Sequence, residues 1–139
     1  RADFGKLEPL ATAARDAVLG AFPQALALWA FGSRVSGQAG PQSDLDLAVL
    51  VPGKAEALAL WNCAQQLARD TGIEVDLLDL RATSTVMAHQ VLSTGECLYA
   101  LEPQAGSWAA FALNEKLKLD AARAPLLAQI EREGTVHGR

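Results

Sequence analysis

Two carboxylates stand two residues apart in Ser43-Asp44-Leu45-Asp46-Leu47, within a stretch from Ala30 to Val51 that reads AFGSRVSGQAGPQSDLDLAVLV. An apolar segment leads into Gly32-Ser33, a loop of small residues follows, and a second apolar segment carries both aspartates. Side chains of a strand alternate between its faces, so Asp44 and Asp46 are expected to project from one side. Like charges held that close repel each other and require a counter-charge. A hard divalent cation such as Mg²⁺ supplies it, because it takes carboxylate oxygens and shares its shell with phosphate. Gly32 and Ser33, just upstream, offer backbone donors and a hydroxyl that suit such a phosphate. The chemistry expected of this stretch is metal-assisted transfer from a nucleotide.

The elements that must position these residues follow from periodicity. Phe4, Leu7, Leu10, Ala14, Val18 and Phe22 keep a helical period, with Asp3 as N-cap and regular helix expected only from about Pro9. Leu26 to Phe31 reads as a buried strand, and Ser33 to Gly37 as one helical turn whose N–H groups would face an anion. Gln38 to Ser43 reads as a loop around Gly40-Pro41, and Asp44 to Val51 as the second strand, with Leu45, Leu47 and Val49 turned to the core. A helix is expected over Ala55 to Asp70, with Ala57, Leu60, Trp61, Ala64, Leu67 and Ala68 on its buried stripe. Ile73 to Leu78 is a third strand bearing Glu74 and Asp76, Thr83 to Ser93 a short helix, and Gly95 to Leu101 a fourth strand. A long helix from Gly106 to about Glu133 should break or bend at Pro125. The fold class is therefore α+β, a small mixed sheet of three to four strands with helices packed on it and a long C-terminal helix.

Composition narrows the function classes. The chain has 139 residues, half of them hydrophobic and a fifth charged, which suits a single globular domain spanning 1–139. Its net charge is −4, without the basic footprint of a nucleic-acid binder, so nucleic acid is not expected to be held by this domain alone. No run of about 20 apolar residues and no signal peptide is apparent, so a cytoplasmic location away from the membrane is expected. Cys63 and Cys97 lack metal-ligand spacing and are expected to be buried, reduced thiols.

With Gly32-Ser33 ahead of Asp44-Leu45-Asp46 and Asp76 behind, residues 25–100 resemble the polymerase-beta-like nucleotidyltransferase superfamily. Within it, GSRVSG, SDLDLAV, IEVDLLDL and GECLYA resemble the minimal nucleotidyltransferase (MNT) antitoxins, the MntA-like adenylyltransferases paired with HEPN-domain, HepT-like toxins. The resemblance implies the nucleotidyltransferase fold, ATP as substrate and two Mg²⁺ ions held by Asp44, Asp46 and Asp76. It implies that Asp76 also orients or deprotonates the acceptor hydroxyl, and that Gly32, Ser33 and Ser43 serve the nucleotide. Arg34 would either neutralise the triphosphate or face solvent. The implied reaction is AMPylation of a toxin tyrosine, which silences the toxin.

Other readings stay beside this one. The acceptor is alternatively a small molecule such as an aminoglycoside, or the 3′ end of tRNA. A third alternative is a non-catalytic module that neutralises its partner by occlusion. Asp79 rivals Asp76 as third carboxylate, but Asp76 is preferred because it sits mid-strand between apolar neighbours. Glu74 shares a face with Asp76 and is expected to be exposed. Asp70-Thr71-Gly72 reads as a helix end, and His89 and His137 have no ligand partners at suitable spacing. Trp108, Phe111, Leu119, Leu126, Leu127 and Ile130 make the last helix apolar; core packing is expected, with any uncovered remainder able to dock a partner.

Overall fold

A computed structural model describes residues 4–36 and 44–136. Nine elements follow in order: α1 (Phe4–Ala21), β1 (Ala27–Phe31), α2 (Ser33–Ser36), β2 (Leu45–Leu50), α3 (Ala57–Thr71), β3 (Val75–Asp79), α4 (Thr85–Thr94), β4 (Glu96–Ala100) and α5 (Gln104–Val136). The strands form one sheet in the order β3-β2-β1-β4. β1 pairs antiparallel with β2 and with β4, whereas β2 and β3 run parallel. The expected mixed α+β architecture is the one found, with four strands.

Both faces of the sheet are covered. Leu28, Ala30, Leu45, Leu47, Val49 and Leu77 pack against Ala14 and Val18 of α1 and Cys63, Ala64 and Leu67 of α3. On the other face Ala27, Trp29, Ala48, Leu50 and Leu80 pack against Ala88 and Val91 of α4 and Ala105 of α5. Ala48, two residues beyond Asp46 on the same strand face, is completely buried. The acidic face is open at one end of β2 and sealed by helices at the other.

Local chemistry sets the element ends. Gly72 takes φ of 77°, and its N–H donates to Ala68 O at 2.8 Å, which closes α3 as expected for Asp70-Thr71-Gly72. Ser84 caps α4 by accepting from Met87 N at 3.0 Å. His89 sits within α4 with Nε2 3.2 Å from Ser93 Oγ, a local contact consistent with a structural role.

Several expectations need correction. α1 continues through Pro9, which lacks the N–H that would bond the Gly5 carbonyl; one lost bond near the helix start does not delay it. α5 likewise runs without a break through Pro125, in a segment whose residues are exposed. Cys97 is exposed because β4 is an edge strand, whereas Cys63 is buried and burial pushes its thiol pKa up. Trp61 is 61% exposed, since the buried stripe of α3 is centred on Cys63, Ala64 and Leu67. Phe111, Leu126, Leu127 and Ile130 are also exposed: α5 packs through its first turns and then leaves the domain.

Candidate active site

β1 ends at Phe31, and Gly32 turns the chain with φ of 84°, a conformation that side chains other than glycine rarely adopt. The turn leads directly into α2, where Val35 N donates to Gly32 O at 3.1 Å and the buried Val35 side chain anchors the segment. A Cβ added at Gly32 would collide with Asp46 Oδ2, so the glycine is required twice over, by φ and by space. Ser33 and Arg34 are half-buried on this turn, and each is engaged with the rest of the protein. Ser43 lies outside the described residues, as do Gly40-Pro41 and His137.

Strand pairing gathers the acids. Asp46 is the register partner of Asp76 across the parallel β2–β3 pair and of Phe31 across the β1–β2 pair. Directly opposed residues share a face, so Asp46 and Asp76 stand side by side. Asp44 is exposed immediately ahead of β2, two residues from Asp46. Burial pushes the Asp46 pKa above its ordinary value, and the negative charges of Asp76 and then Asp44 push it further the same way. The site therefore disfavours the very charge that its residue types supply, and a cation would relieve it. Among the described residues no three His, Cys, Asp or Glu side chains are already drawn together as a metal-holding cluster. The donor chemistry nevertheless fits a hard cation: oxygen ligands alone, on a common face, beside a glycine that leaves room.

Asp79 is not part of this group. It is 7% exposed, and its carboxylate accepts from Ala55 N at 2.9 Å and Arg81 N at 3.0 Å, clamping two loops together. Strand alternation turns it to the face opposite Asp76. Glu74 is exposed at the edge, as expected. Phe31 was not singled out by sequence, yet it flanks Asp46 in register; long-range pairing leaves no local signal.

The family described as polymerase beta, nucleotidyltransferase, matches residues 17–104, more than half of the chain. The chain belongs to this family. A curated relative, the protein adenylyltransferase MntA of Shewanella oneidensis, is 32% identical over 108 residues, which is 78% of either protein. Among solved structures, a toxin–antitoxin complex with AMP-PNP is similar at a TM-score of 0.79 and 28% identity, over 87% of this chain and 98% of that one. A second, a tri-AMPylated Shewanella oneidensis HEPN toxin in complex with its MNT antitoxin, is similar at a TM-score of 0.73 and 26% identity, over 87% of this chain and 95% of that one. The chain is thus a nucleotidyltransferase by family and by fold. No helix among the described residues is long and apolar enough to cross a membrane.

Proposed function

We propose that this nucleotidyltransferase moves AMP from ATP to a tyrosine hydroxyl of a partner HEPN-type toxin and so acts as the toxin's antitoxin. The observation that carries the reading is the in-register pairing of Asp46 with Asp76 beside Gly32. The relative named a protein adenylyltransferase and the AMPylated toxin in a similar complex support this acceptor. The two cores built on one sheet support a single domain over 1–139. ATP as donor and two unpaired cysteines favour the cytoplasm as the place of action.

In this reading the acceptor oxygen attacks the α-phosphorus of ATP. A new P–O bond forms, the bond from the α-phosphorus to the bridging oxygen breaks, and pyrophosphate leaves. Asp76, exposed beside Asp46, takes the hydroxyl proton and passes it to water. Gly32 admits phosphate close to the backbone, and Ser33 supplies a hydroxyl to the terminal phosphates. Arg34 and Ser43 serve the triphosphate from the flanking turn and loop. Asp44, Asp46 and Asp76 would hold Mg²⁺, two ions in all, which would neutralise charge on the reacting phosphate and on the departing pyrophosphate.

The test is transfer from α-labelled ATP in Mg²⁺ to a co-expressed HEPN-type toxin, with protein, RNA and small molecules resolved separately. A labelled toxin band that disappears in the Asp44→Ala/Asp46→Ala variant is expected. Label in RNA or in a small molecule instead would overturn the acceptor assignment. Neutralisation that survives the double substitution without any label would overturn catalysis itself.

A further inference from the structure

Asp76 has a second neighbourhood. β3 is an edge strand, and beside it lies a cavity of about 290 Å³ lined by Leu60, Trp61, Ala64 and Gln65 of α3 and by Val75, Asp76 and Leu77. The ladder to β2 uses the carbonyl of Glu74, which accepts from Leu45 N at 2.8 Å, and the amide of Leu80, which donates to Val49 O at 2.9 Å. Backbone groups of alternate residues point the same way, so the even-numbered residues of β3 face β2. The N–H and C=O groups of Val75 and Leu77 therefore face outward, away from β2, on the edge of the sheet formed by the described residues. Trp61 stands over this edge with 61% of its surface exposed. Natural edges are usually blunted by Lys, Pro or a covering segment. This one instead carries an apolar wall and open hydrogen-bonding groups.

We infer that the β3 edge and Trp61 form the docking groove for the acceptor, which binds as an extended polypeptide segment adding a strand to the sheet. The inference rests on the adenylyl-transfer reading above and names how its protein substrate is held. Continuity with the reaction site argues for this occupant, because Asp76 both lines the groove and pairs with Asp46. A strand placed against β3 puts the residue opposite Asp76 on the Asp46 face, where its hydroxyl is needed. The residues on either side of it then point to the α3 face and meet Trp61 and Leu60. Main-chain bonds to Val75 and Leu77 supply affinity, and the aromatic contact fixes register. The net charge of −4 and the nearby pair Asp46–Asp76 make a nucleic-acid strand a poor occupant.

The test measures steady-state transfer from α-labelled ATP to the co-expressed HEPN-type toxin, varying toxin and ATP separately. Trp61→Ala is expected to raise KM for the toxin at least tenfold with KM for ATP unchanged, and Trp61→Phe to recover most of the loss. Val75→Pro, which removes an outward N–H without touching the ladder to β2, should act the same way; Trp61→Ala stands alone if that chain does not fold. A toxin KM within twofold of wild type in Trp61→Ala would overturn the groove while leaving the transfer reading in place. A wild-type chain that labels no protein at all would instead overturn the transfer reading, and the groove with it.

Discussion

Gly32 lies against Asp46 so closely that a single methyl group on its α-carbon would overlap the carboxylate oxygen Oδ2. The turn between β1 and α2 and the Asp46 side chain of β2 are therefore in direct contact. Gly32→Ala adds that methyl and also forces an alanine into φ of 84°. The left-handed conformation alone costs about 1–2 kcal/mol. A displacement of roughly 1 Å at a reacting group can cost about 100-fold in rate. Gly32→Ala should accordingly lose about two orders of magnitude in transfer and lower the thermal midpoint, read by labelled-ATP transfer and by a melting curve.

Asp46 sets stability against function. Burial and the nearby Asp76 and Asp44 charges raise its pKa in the folded chain above the ordinary value of 3.8. The folded state then holds the proton more tightly than the unfolded state. The stabilising contribution is complete below the unfolded value and is lost as pH rises through the folded one. Asp46→Asn removes the charge, so without metal it should melt above wild type at pH 7, and the gap should close as pH falls toward 4. The gain should stay below the roughly 2–4 °C that 1 kcal/mol gives at this size, because solvent screens a half-exposed carboxylate. Added Mg²⁺ should raise the wild-type midpoint and leave that of Asp46→Asn in place. Melting curves across pH, with and without Mg²⁺, check both statements.

Asp76 and Asp79 are three residues apart, yet one is exposed and the other is a buried clamp. Asp79→Ala leaves the part-buried N–H groups of Ala55 and Arg81 without their acceptor. A fully buried orphaned donor costs about 1–3 kcal/mol and a part-buried one less, so the urea midpoint should fall while transfer by the folded fraction persists. Asp76→Ala removes an exposed side chain and should change stability by no more than about 0.5 kcal/mol. Transfer should fall by roughly 10²–10⁴, the usual contribution of a positioned acid or base. Paired denaturation and rate measurements on the two variants separate a clamp from a catalytic residue.

The parts of this fold that were legible in sequence are those that local periodicity controls. The short apolar runs located β1, β2 and β3, and the mid-strand place of Asp76 set it apart from Asp79, which is buried. What was hidden depends on which elements meet. The pairing of Asp46 with Asp76 joins strands separated by all of α3, so no local pattern reports it, and in the sequence only the family resemblance placed Asp76 with Asp46. Trp61 was counted into the buried stripe because helix periodicity does not know where the sheet ends; β3 is the edge among the described residues, and the indole beyond it is 61% exposed. Cys97 was misread for the same reason on the other edge, β4. At Pro125 a break or a bend was expected because a proline removes a helical hydrogen bond and crowds the preceding turn; the helix continues through it without a break.

α5 is apolar by composition and yet is only partly a core element. Ala105 and Ala112 are buried, whereas Leu126 and Leu127 are 58% and 57% exposed and sit within residues 120–133, all of them exposed. Side chains that bury nothing in their own domain contribute little to its stability, typically within about 0.5 kcal/mol. Leu126→Gln/Leu127→Gln should leave the melting midpoint of the isolated chain unchanged and raise its solubility, because exposed apolar surface is what drives self-association. Ala112→Glu, by contrast, places a charge in the closed contact of α5 with the sheet-covering helices and should lower the midpoint sharply. If the leucine pair destabilised the isolated chain as strongly as Ala112→Glu, the far half of α5 would have to fold back on the domain in solution. Melting and precipitation assays on both variants decide between a projecting helix and a packed one.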